Sequence, residues 1–252
     1  MPSWDDSGQV IEPHRGLQIS ERPDNPRKDK PSALRYPSLP YVLPFAAFLV
    51  LLVGHQYLEL GSWQYPARVA IISLLLIVFS RHVLDFRLSQ PVASLGIGVA
   101  VFVIWILPDL LWSGYRDHWL FQNGITGTIT SSIADHHRMD GWVLFFRSVL
   151  AVIIVPVVEE LFWRAWLMRW LIKPQFETLK LGTYSAMAFW VTALLFASEH
   201  GPYWDVGLLA GIIYNWWMVR TRSLGDCILA HACTNACLSF YVIFAGKWEY
   251  WL

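Results

Sequence analysis

The stretch Ala151-Val-Ile-Ile-Val-Pro-Val-Val-Glu159-Glu160-Leu-Phe-Trp-Arg164 sets an apolar run directly against two carboxylates and a guanidinium. The apolar segment around it runs from 142 to 170. That is long enough to cross a hydrocarbon core, which takes about 20 helical residues. The same length criterion finds six more apolar stretches, near 40–59, 67–82, 91–112, 181–200, 204–219 and 224–246. The pattern predicts an all-α, polytopic membrane helix bundle of about 7–8 transmembrane helices, behind a polar and mobile N-terminal tail. The tail is expected over 1–38 and the helical domain over 39–252. Pro156 should kink the long fourth span, because proline removes a backbone donor and crowds the preceding turn.

Composition agrees. Hydrophobic residues make up 55% of the 252 and charged residues only 15%, whereas soluble domains carry about a quarter charged residues. The 15 Trp and 10 Tyr suit the headgroup level of a bilayer, where amphipathic aromatics collect. A net charge of zero gives no reason to expect a nucleic-acid partner. Cys227, Cys233 and Cys237 share one apolar segment, which supplies neither a disulfide framework nor a metal knuckle.

Basic residues cluster in alternate loops. Arg27, Lys28, Lys30 and Arg35 precede the first span; Arg81 and Arg87 follow the second; Arg169, Lys173 and Lys180 follow the fourth; Arg220 and Arg222 follow the sixth. The segment 113–140 carries two Arg against three Asp. The positive-inside rule then predicts a cytoplasmic N-terminus and an outer C-terminus in a multi-pass membrane protein.

Charges inside membrane helices cost about 2.5–3.5 kcal/mol on insertion scales and mark functional positions. Glu160 and Arg164 are four apart with the acid first, so they share a helix face and should pair. Glu159 is turned about 100° away and has no basic residue at the third or fourth position on; it needs a partner from another helix or a function. Phe196-Ala-Ser-Glu-His200 closes the fifth span, and His231-Ala-Cys-Thr-Asn235 lies within the last, with His231 and Asn235 on one face. Taken singly, these are ordinary polar residues of membrane helices. Together they put a carboxylate, two imidazoles and an amide on three helices. A carboxylate with an imidazole can deprotonate water, and an imidazole with an amide can donate to an oxyanion.

The three motifs Glu-Glu-x-x-x-Arg, Phe-x-x-x-His and His-x-x-x-Asn resemble, in order and spacing, those of the CPBP family. This family of glutamic-type intramembrane endopeptidases includes CAAX prenyl endopeptidases and bacteriocin-processing proteins. The resemblance covers about 140–245. Residues 204–226 also look like the bacterial exosortase-associated, CAAX-protease-related subgroup. The resemblance implies a helix bundle around a central polar cavity and an endopeptidase acting on a membrane protein or lipidated peptide in the bilayer, without a cofactor. A location in the bacterial inner (cell) membrane and a link to a protein-sorting (exosortase) system are further implications. Glu159 would be the general base, with His200 on the attacking water. His231 and Asn235 would form the oxyanion pocket, and Glu160 and Arg164 would orient the site.

Alternative readings remain open on the same residues. Glu159, His200 and His231 supply the ligand types of a zinc metalloprotease. A non-catalytic scaffold or immunity protein would keep the fold without the chemistry. Cys227 and His231 share a face, as a thiol protease would need. Asp109 and Arg147 are further intramembrane charges, of the kind a transporter uses. Depth presents a difficulty. On straight helices His200 would lie about 30 Å from Lys180, and His231 only about 9 Å from Gly225 at the same membrane face.

Overall fold

The computed structural model describes residues 36–54 and 61–251. The expected tail lies almost wholly outside them, as does the end of the first predicted span. Among the described residues there are seven principal helices: α1 (Leu39–Gly54), α2 (Gly61–Ser80), α3 (Pro91–Leu111), α4 (Gly141–Trp170), α5 (Ala186–Ser198), α6 (Trp204–Thr221) and α7 (Leu224–Ala245). The chain is an all-α polytopic bundle. Four helices, α2, α3, α4 and α7, are long and apolar enough to cross a membrane. The segment 113–140 adds only short turns, Tyr115–Asp117 and Asp135–His137, and one bridge between Asn123 and Gly127. No eighth helix of comparable length occurs among the described residues.

Helix α5 departs from its sequence reading. It starts at Ala186 rather than near 181, and its 13 residues rise only about 20 Å. The chain is still turning at Gly182, whose φ of +71° and close approach to the Met218 carbonyl exclude a side chain.

Packing follows the small residues. Helices α3 and α7 meet at Gly98, where an added Cβ would sit 2.5 Å from the Ala230 carbonyl oxygen and 2.6 Å from the Cys233 Cβ. Such small positions let membrane helices approach backbone to backbone. Thr234 on α7 donates to the Gly98 carbonyl at 2.8 Å and accepts from the Tyr214 hydroxyl at 2.7 Å, which ties α3, α6 and α7 together.

Polar clasps hold each end. At one, the Asp226 carboxylate accepts from Ser89 N (2.8 Å), Ser89 Oγ (2.5 Å), Gln90 N (3.0 Å) and Ser94 Oγ (3.0 Å). It thereby satisfies donors at the start of α3 that the helix cannot, and its charge suits that end of the helix dipole. Beside it Gly225 is obligatory, since a Cβ would lie 2.6 Å from the Arg87 carbonyl oxygen. At the other end Arg116 pairs with Asp205 (2.5 Å) and Asp109 (3.3 Å) and donates to the Pro202 carbonyl. The Tyr250 hydroxyl also donates to Asp109, at 2.8 Å. Asp109 is therefore a structural ion-pair partner, and the transporter reading loses one of its two charges.

Candidate active site

The site is organised by a fault in α4. Residues Leu150–Ile154 are π-helical, and the Val155 N–H reaches back five residues to the Leu150 carbonyl. By that offset the Ala151 carbonyl would wait for the N–H of residue 156, which is proline and has none. Asn235 on α7 fills the gap: its Nδ2 donates to the Ala151 oxygen at 2.8 Å. The kink expected at Pro156 is thus realised as a π-helical widening, a feature frequent at functional sites. It fixes one N–H of Asn235 and leaves the other available.

One residue beyond Glu159 lies a buried charge cluster. Glu160 and Arg164 are both fully buried and pair at 3.0 Å, as their spacing predicts. The Arg164 Nε donates to Asn215 Oδ1 at 3.1 Å, and Asn215 Nδ2 donates to the Phe189 carbonyl. The guanidinium also lies over the rings of Phe196 and Tyr214, at 4.4 and 5.4 Å. Glu160 Oε1 then reaches His231 Nδ1 at 2.8 Å. This contact spans 71 residues of sequence, and no spacing argument could have found it. A carboxylate accepts, so Nδ1 carries the proton and Nε2 is the remaining nitrogen. Tyr214 stacks on the same ring at 5.1 Å.

His200 lies in the turn that ends α5, directly after the C-cap residue Glu199. Its backbone (φ −91°, ψ 8°) has left the helix, and its ring folds back so that Nδ1 lies 2.7 Å from the Phe196 carbonyl oxygen. A carbonyl only accepts, so Nδ1 is the donor and Nε2 is free to act as an acceptor. Trp105 meets the ring edge-on at 5.2 Å. Gly207 on α6 leaves room for it, since a Cβ there would come within 3.1 Å of the imidazole.

The difficulty of depth is resolved by these details. The ring of Phe196 has His200 at 4.6 Å and His231 at 6.2 Å between centroids. A short α5, together with a ring that turns back along it, brings His200 down to the level of the last span.

Glu159, His200, His231 and Asn235 all line one cavity of about 250 Å³. Glu159 is 8% exposed, and its Oε2 has no hydrogen-bond partner among the described residues. Glu199 lines the cavity too; it sits inside the Phe-x-x-x-His motif but was given no role from sequence. Cys227 is buried elsewhere, with Sγ 3.9 Å from the Tyr214 carbonyl; it does not line the cavity, which removes the geometric basis of the thiol reading. Among the described residues no group of three or more His, Cys, Asp or Glu is arranged to hold a metal ion.

The class defined by fold and site is an integral membrane helix bundle with a buried carboxylate–imidazole–amide cavity. Residues 141–237 match the family model described as "Rce1-like: Type II CAAX prenyl endopeptidase Rce1-like". The match covers all three motifs, agrees with the CPBP resemblance, and places this segment with CAAX-protease-type hydrolases. It adds nothing for the exosortase-associated subgroup. No curated protein and no solved structure matches the chain.

Proposed function

We propose that the protein is an intramembrane endopeptidase that hydrolyses a peptide bond of a membrane-associated or C-terminally processed protein with an activated water. The observation that carries this reading is the division of labour between two adjacent acids. Glu160 is committed to Arg164 and His231, whereas Glu159 lines the cavity with an oxygen that has no hydrogen-bond partner among the described residues.

In this mechanism a water donates to Glu159 and to the free Nε2 of His200. As its oxygen attacks the scissile carbonyl carbon, Glu159 takes the proton. The oxyanion accepts from the second N–H of Asn235 and from His231 Nε2. Because His231 Nδ1–H is held by Glu160, Nε2 donates to the oxyanion when it carries a proton of its own. When the C–N bond breaks, Glu159 returns the proton to the leaving nitrogen, as a general acid–base does. Glu160 and Arg164 hold His231 in place. No covalent intermediate and no cofactor enter.

The substrate would be a membrane protein or lipidated peptide, and a sorting system such as an exosortase pathway would be a fitting partner. The protein would lie in a bacterial cell membrane with its N-terminus cytoplasmic. The cavity runs toward Tyr203 and Tyr250, at the Arg116 end, so on this orientation it opens outward.

A zinc reading keeps one support. Each histidine has Nδ1 tied to an oxygen and Nε2 free, as metal-ligating histidines do. Incubating purified protein in lipid nanodiscs with farnesylated and unmodified C-terminal peptides in H2(18)O tests both readings. Direct hydrolysis predicts one (18)O in the new carboxylate and activity that survives chelation. Chelator-sensitive activity restored by zinc would favour the metal.

A further inference from the structure

One intramembrane charge remains unexplained. Arg147 on α4 lines the cavity at the end away from His231, together with Arg68 of α2. The Arg68 Nη2 donates to Gln64 Oε1 at 3.0 Å, and the Arg147 guanidinium lies 5.2 Å from the Trp251 ring. Neither has a carboxylate within 4 Å among the described residues. Two like charges facing one chamber repel each other, and an anion that enters it would offset both.

Helix α4 connects this pair to the chemistry. Arg147, Ala151, Val155 and Glu159 recur every four residues, and all four line the cavity, so they form one strip of helix surface. Twelve residues separate its ends, about 18 Å along the axis. An extended peptide covers that length in about five residues at about 3.3 Å each. Ser132 and Tyr250 border the same chamber.

We propose that Arg68 and Arg147 form a subsite for the C-terminal carboxylate of the substrate, setting the scissile bond about five residues from the chain end. This rests on the endopeptidase reading. A lipid phosphate has the right charge, but the arginines share one continuous chamber with Glu159, which suits a chain running between them.

The test is a binding measurement that does not need turnover. Full-length Glu159→Gln protein is placed in phosphatidylcholine nanodiscs and titrated with a fluorescent N-lauroyl hexapeptide as the free acid or as the C-terminal carboxamide. The acid should bind about 10- to 100-fold more tightly, the range of a charge-assisted hydrogen bond. Arg147→Gln should abolish that preference while leaving the amide's affinity unchanged, and Arg147→Lys should restore part of it. Arg68→Gln, checked for an unchanged melting temperature, serves as the second variant. Equal binding of acid and amide, or a preference that survives both glutamine variants, overturns the subsite. So does displacement of the acid by phosphatidylglycerol with Arg147-dependent retention of the lipid, which would assign the pair to a headgroup. Absence of cleavage by the wild type would defeat the protease reading and leave this comparison readable.

Discussion

Asn235 donates to the carbonyl of Ala151 at 2.8 Å, and Ala151 is the residue whose helical partner Pro156 cannot provide an N–H. A side chain of the last helix thus completes the backbone of the fourth, and the proline and the asparagine form a functional pair 79 positions apart. Asn235→Ala should cost about 1–2 kcal/mol, the range for a buried polar group left unpaired or a lost interhelical hydrogen bond. The cost should shrink in a Pro156→Ala background, where residue 156 supplies its own N–H. Denaturation of the four variants in detergent reads this double-mutant cycle. Additive costs would contradict the pairing.

Glu160 carries two partners and is fully buried. Breaking a buried pair by removing one member costs about 3–5 kcal/mol, so Glu160→Gln should lower thermal stability clearly and weaken activity through a loosened His231. Arg164→Lys should also destabilise, because a lysine cannot serve Glu160 and Asn215 together. A Glu160→Gln protein that melts and turns over like the wild type would refute the cluster's structural role.

If His231 donates to the oxyanion through Nε2 while Nδ1 stays against Glu160, a side chain that can still donate should keep part of the rate. His231→Gln should be slower than the wild type but faster than His231→Ala in the cleavage assay, because an amide can donate and a methyl group cannot. A folded His231→Ala protein that cleaves as fast as the wild type would contradict the oxyanion role.

The proposed topology places Ser132 at the outer mouth of the cavity. In cells, a Ser132→Cys variant should react with a membrane-impermeant maleimide added from outside. Labelling only after the membrane is permeabilised would reverse the orientation.

Much of this architecture was legible in the sequence, for identifiable reasons. Lipid demands long apolar runs, so seven helices could be counted from composition, and the i, i+4 rule found the Glu160–Arg164 pair. Glu159, His200, His231 and Asn235 stood out because polar groups are expensive in a membrane helix. What escaped was whatever depends on where helices stop and meet. The short α5 and the folded-back ring of His200 reversed the expected depth conflict. The His231–Glu160 contact, the Asn235–Ala151 bond and the pairing of Asp109 with Arg116 are all made between separate elements. Glu199 was overlooked because a carboxylate next to a histidine at a helix end is unremarkable until a cavity is seen to reach it.

The most direct test of the central claim compares Glu159→Gln with Glu160→Gln in a cleavage assay in lipid, with melting temperatures measured on the same preparations. Glu159→Gln should keep its melting temperature and lose cleavage by at least about 100-fold, the scale of a general base, while Glu160→Gln loses stability first. Full activity in a folded Glu159→Gln protein would contradict the assignment of Glu159 as the residue that activates water.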